Sequence, residues 1–115
     1  MLDLTLLEEL AGGNRTFIKQ VITTFLTQAP VLQQQLADSF LAADTDALAR
    51  TAHKLKGQVA YFGVEDLHVA LDNLEQQARH ATETALLIDV LHQVEQQLDA
   101  LYGPLRERVK EINLL

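Results

Sequence analysis

Three observations predict an all-α fold, an up-down four-helix bundle with an additional short N-terminal helix. Apolar residues recur at helical rather than alternating spacing along nearly the whole chain. Ala, Leu, Gln and Glu dominate and β-branched runs are short, so the vocabulary of strands is missing. The connections between amphipathic stretches are short, which places consecutive helices antiparallel. A chain of 115 residues closes one modest core. One domain is therefore expected over 1–115, with its core at about 4–103 and a C-terminal helical tail at 104–115.

The elements follow in order. A short helix over about Thr5 to Leu10 ends at Gly12-Gly13, a C-cap signal. Asn14 is placed to cap a second helix, whose Phe17, Ile18, Val21, Ile22, Phe25 and Leu26 form one apolar stripe. Pro30 interrupts it, but Leu32, Leu36, Phe40 and Leu41 continue the stripe, so one long kinked element from 14 to 43 is expected. Asp44-Thr45-Asp46 caps a third helix and sets negative charge at its positive end. That helix runs to Phe62, where Gly63 ends it in the left-handed conformation. A fourth covers Glu65 to His80 with Leu67, Leu71, Leu74 and Ala78 inward. A fifth starts near Glu83 and carries Leu87, Val90, Leu91, Val94, Leu98 and Leu101 until Gly103-Pro104 breaks or kinks it.

Composition narrows the function. The formal net charge is −7, which argues against nucleic acid as a partner, because a polyanion needs a basic surface. There is no cysteine, hence no thiolate chemistry and no sulfur-ligated zinc; this fits a reducing cytoplasmic setting. No apolar stretch approaches the roughly 20 residues that span a bilayer, and the N-terminus lacks the pattern of a signal peptide, so no membrane association is expected. There is no phosphate-binding GxxxxGKT loop, no GxGxxG and no HExxH. No cofactor and no metal site is expected.

The segment Leu48 to Gly63, LARTAHKLKGQVAYFG, carries the chemistry. At about 100° per residue, Leu48, Ala52, Leu55, Val59 and Phe62 fall on one stripe, the core face. His53 lies on the opposite side, among Ala49, Arg50, Lys56, Gly57 and Ala60. Arg50 and Lys56 each stand about one turn away, so repulsion between like charges favours the neutral imidazole, the form that attacks phosphorus. The same cations can pair with a phosphoryl group once it is attached. Gly57 costs about 1 kcal/mol relative to Ala inside a helix, and clearance for an incoming active site is one compensation. The plain alternative is a surface histidine, a solubilising lysine and a glycine for close helix packing.

The stretch Ala52 to Glu75, AHKLKGQVAYFGVEDLHVALDNLE, resembles the histidine phosphotransfer (HPt) family. The family's pattern of Ala-His-x-Leu-Lys-Gly, a glycine six residues on, then Leu and Leu-Glu on the next helix is met by Ala52, His53, Leu55, Lys56, Gly57, Gly63, Leu67, Leu74 and Glu75. Phe25-Leu26 with Ala29-Pro30, and Ala42-Ala43-Asp44, are similar to the family's preceding helix and loop. Gln58 departs from it, since small residues are common there. The resemblance implies a phosphocarrier in a two-component phosphorelay, with no ATP-binding or catalytic machinery of its own. It implies His53 as phosphoacceptor, Lys56 as the partner of the phosphoryl charge and Gly57 as steric access. Arg50 is a supporting cation by position. Glu75 is expected to accept a hydrogen bond from the far ring nitrogen and so fix the tautomer. The implied partners are response-regulator receiver domains and a sensor (hybrid) histidine kinase, with the chain itself a monomer. Two other readings compete: a non-phosphorylated helical adaptor, and a phosphoacceptor module of a larger histidine kinase, against which Met1 is read as the start of a free-standing chain.

The remaining histidines lack such surroundings. His68 precedes Asp72 by four residues, a surface ion pair rather than a metal site. Glu65-Asp66-Leu67-His68 supplies a Glu-x-x-His pair once, where a di-metal bundle needs two. His80 sits near a helix C-terminus, and His92 reads as a surface residue.

Overall fold

A computed structural model describes residues 2–80 and 83–114. Helix α1 is Thr5–Ala11, α2 Arg15–Leu41, α3 Thr45–Val59, α4 Glu65–His80 and α5 Ile88–Asn113. One 3-10 turn, Ala60–Phe62, extends α3, and another, Thr84–Leu87, leads into α5. Helices α2, α3, α4 and α5 pack as a ring of neighbours in that order, closed by α2 against α5, and α1 lies against α2 and the Ala60–Phe62 turn. This is the up-down bundle with a short additional helix that the apolar spacing predicts.

The caps form as the sequence implies. Asn14 accepts a hydrogen bond from the Phe17 N–H at 3.0 Å, and Asp44 accepts one from the Ala47 N–H at 3.0 Å. Asp3 docks the N-terminal segment: its N–H donates to the Phe62 carbonyl at 2.8 Å, while its carboxylate accepts from the Thr5 N–H and hydroxyl. Gly63 has φ of 65°, and a Cβ there would stand 2.6 Å from the Asp3 Cβ and 2.8 Å from its carbonyl oxygen. Left-handed backbone and close approach of a second segment both demand glycine at this corner.

Of the two outcomes open at Gly103-Pro104, a break is not found: the expected helical tail continues α5 to Asn113. The missing Pro104 N–H and the ring clash cost about 3 kcal/mol or more. Beyond it, Leu105 is fully buried and Val109 and Ile112 pack against the core, which opposes that cost. Helix α2 continues through Pro30, between buried Ala29 and Leu36, as the single long element expected over 14–43. The α2 stripe is also narrower than its spacing suggests: Ile18, Ile22 and Phe25 are buried, whereas Phe17 is half-exposed and Leu41 is on the surface.

The core is otherwise the predicted one. Leu48, Ala52, Leu55, Val59 and Phe62 of the third segment are buried, facing Leu67, Leu71, Leu74 and Ala78 of α4. Phe25 meets Phe62 edge-on at 4.9 Å between ring centroids, fixing the end of α3 against α2. This packing makes α3 a rigid rail whose outer face is set by what its inner face buries.

Candidate functional site

Because the core stripe of α3 is filled, His53 is turned out of the bundle, and its side chain is 63% exposed. Along α4, Asp72, Glu75 and Arg79 are spaced by three and four residues, one face of a helix. The packing of α3 on α4 brings that face beside His53 and Lys56.

Glu75 is the centre of the arrangement. Its side chain is only 5% exposed, yet it is charged and fully answered. Lys56 Nζ lies 2.8 Å from Oε1. Arg79 donates to Oε2 from Nη2 at 2.9 Å and from Nε at 3.3 Å. His53 Nδ1 is 3.1 Å from both carboxylate oxygens. Burial by itself raises the Glu75 carboxyl, but the hydrogen bonds from Lys56, Arg79 and His53 outweigh it and bring it down to about 2. An ionised carboxylate can only accept, so Nδ1 must carry the hydrogen. In the neutral imidazole this puts the lone pair on Nε2, the outer nitrogen. That is the contact expected of Glu75.

Lys56 is placed differently from the expectation. It does not stand as a free cation beside the ring. Its ammonium is 2.8 Å from Glu75 and 3.0 Å from Asp72, with the side chain 20% exposed. The hydrogen bonds to Glu75 and then Asp72 raise its pKa above the usual lysine value, desolvation opposing. Arg50 is exposed and forms no ion pair among the described residues. The nearest charged group to the imidazole is therefore a carboxylate, not the pair of cations the spacing suggests.

Gly57 is exposed, and a Cβ built on it meets nothing within 4 Å. Close helix packing is thus no reason for this glycine. Ala60 is exposed as expected, but Ala49 is buried at 1% and belongs to the core face rather than to the surroundings of His53. Tyr61 is half-exposed and lines a groove with Phe17, Val21 and Phe25, beside α2. Gln58, the departure from the pattern, borders the same groove.

Asp72 and Arg79 were not legible as site residues. Asp72 had a sequence partner in His68, but the partner it takes is Lys56 on the neighbouring helix. The Glu75–Arg79 pair at i, i+4 is a helix-surface signal in itself. Glu75 stands four residues after Leu71 and three before Ala78, on the edge of the apolar stripe of α4; what the spacing does not convey is which groups answer its charge. Among the described residues, no group of three or more His, Asp or Glu side chains gathers that could hold a metal ion.

No curated protein matches the chain. Among solved structures, histidine-containing phosphotransfer protein B (HptB) from Pseudomonas aeruginosa PAO1 superposes with a TM-score of 0.83 at 22% identity, covering 96% of this chain and 95% of that one. The HPT domain of a sensor hybrid histidine kinase from Shewanella gives 0.82 at 16% identity, covering 96% and 94%. At these identities the likeness establishes the fold. The Hpt domain family model matches residues 20–103, which include His53, Lys56, Gly57 and Glu75. With most of its length matched, this chain belongs to the Hpt domain family, whose role is histidine phosphotransfer.

Proposed function

We propose that this protein accepts a phosphoryl group on His53 Nε2 from the aspartyl phosphate of one receiver domain and passes it to the aspartate of another. The observation that carries this reading is the pairing of an exposed imidazole with a buried, ionised carboxylate on its inner nitrogen. That arrangement fixes Nδ1 as the donor to Glu75, so that the neutral ring presents its lone pair on Nε2, away from that contact.

In the forward step the Nε2 lone pair forms the N–P bond. The aspartyl O–P bond breaks and its electron pair returns to the receiver's carboxylate. No proton leaves: Nδ1 keeps its hydrogen, the ring gains positive charge, and Glu75 faces that charge. Catalysis is then positioning and charge stabilisation, as phosphoryl transfer requires. Any magnesium ion and further cationic group belong to the receiver. This chain supplies a rigid helix, an oriented ring, the Lys56 ammonium and the open ground above Gly57. It acts as a phosphocarrier, not an enzyme, and works as a monomer between a sensor (hybrid) histidine kinase and response-regulator receiver domains. The absence of a side chain at Gly57, which nothing inside the fold requires, favours this reading over a non-phosphorylated adaptor.

Incubation with a phosphorylated receiver domain should label the protein with an acid-labile, alkali-stable phosphoramidate. His53→Gln should abolish labelling and leave far-UV circular dichroism unchanged. Label retained by the folded His53→Gln variant would refute the assignment.

A further inference from the structure

We propose that Asp72 is a positioning residue for phosphoryl exchange: it tethers the Lys56 ammonium on the α4 side of the site, and the phosphoryl group must draw that ammonium away. The inference rests on the phosphocarrier reading of His53.

Lys56 is held at two points, Glu75 at 2.8 Å and Asp72 at 3.0 Å. Both carboxylates lie on α4, and Glu75 also engages the inner nitrogen of the ring. A phosphoryl group on Nε2 lies on the outer edge of the ring, remote from that contact. Lys56 reaches it only by moving outward and loosening at least one of the two contacts.

The two carboxylates differ in what they lose. Glu75 keeps Arg79 and the ring N–H, and after transfer it faces a positively charged imidazole. Asp72, about half-exposed at the rim, forms no other ion pair among the described residues. Before transfer the charges of Lys56 and Arg79 are balanced by those of Glu75 and Asp72. An arriving dianion therefore finds the Lys56 ammonium already paired, with the exposed Arg50 as the cation beside His53 that forms no ion pair among the described residues. Asp72 does not react. It sets how readily Lys56 is released, and with it how far the exchange equilibrium lies toward phosphohistidine.

The test is the equilibrium distribution of label between the full chain and one phosphorylated receiver domain. Asp72→Asn should raise the exchange constant toward this protein by about twofold to fivefold, the range that an exposed ion pair spans. Lys56→Met keeps the apolar stem and removes the charge. In that background Asp72→Asn should change the constant much less. Equal constants for wild type and Asp72→Asn would overturn the inference. So would an undiminished effect of Asp72→Asn in the Lys56→Met background, because Asp72 would then act through its own charge. Failure of the wild type to take label from any receiver would overturn the phosphocarrier reading itself, and the inference with it, so the two failures are distinguishable.

Discussion

A buried carboxylate is tolerated only when its charge is answered, and Glu75 is answered by Lys56, Arg79 and His53 together. Its folded pKa of about 2 lies below the ordinary 4.5. A depressed acid contributes stability that is present above the unfolded value and lost as pH falls through the folded one. Urea denaturation measured between about pH 5 and 2 should therefore show an acid limb to which Glu75 contributes, and Glu75→Gln should flatten it. An unaltered limb in the variant would assign the acid sensitivity to other carboxylates. Gly57 gives the opposite kind of prediction. Since an added Cβ would meet no other part of the fold within 4 Å, Gly57→Ala should stabilise the protein by about 0.5–1 kcal/mol in thermal or chemical denaturation. It should also slow transfer from a receiver by about tenfold or more, because displacement on the order of 1 Å at the reacting atoms costs as much as a hundredfold. Stabilisation with an unchanged transfer rate would remove the access role from this residue.

Helix α3 and its 3-10 extension show how much was legible at the scale of elements. The stripe Leu48, Ala52, Leu55, Val59 and Phe62, the Asp44 cap and the Gly63 stop follow from period and capping chemistry, and all three are found. The exposure of His53 follows from the same period. The charge arrangement did not, because the angle around one helix says nothing of which neighbour packs beside it. Only the pairing of α3 with α4 brings Asp72, Glu75 and Arg79 to Lys56 and His53. Pro104 stood open between a break and a kink for a similar reason. A local rule marks Pro104 as a break or a kink, whereas the burial of Leu105 is a long-range matter. The Gly63 corner offers a test of an element boundary. Gly63→Ala should cost about 1–2 kcal/mol from the left-handed backbone alone, and more because the Asp3 backbone must yield. Hydrogen exchange in α1 should rise with it, since the Asp3 N–H bond to Phe62 is the tie that holds the segment down.

The molecule is a rod, 50 × 20 × 19 Å, its length set by α2 and α5, of 27 and 26 residues. The reach of α5 past Gly103 is part of the core. Leu105→Ala should destabilise the protein by about 2–5 kcal/mol in chemical denaturation. At a temperature where the variant stays folded, its labelling by a receiver should match wild type, since Leu105 has no part in the His53 site. Loss of labelling in the folded variant would mean that this end of the rod reaches the chemistry after all.

The corner where Asp3 meets Gly63 has a topological consequence. Leu2, Asp3, Gly63, Asp66 and Arg108 line one shared hollow, so the N-terminal segment, the corner between α3 and α4 and the late turns of α5 meet at one place. A single disturbance there reaches three stretches that lie far apart along the chain, and a fluorophore attached at position 108 would register the loosening of the Asp3 segment.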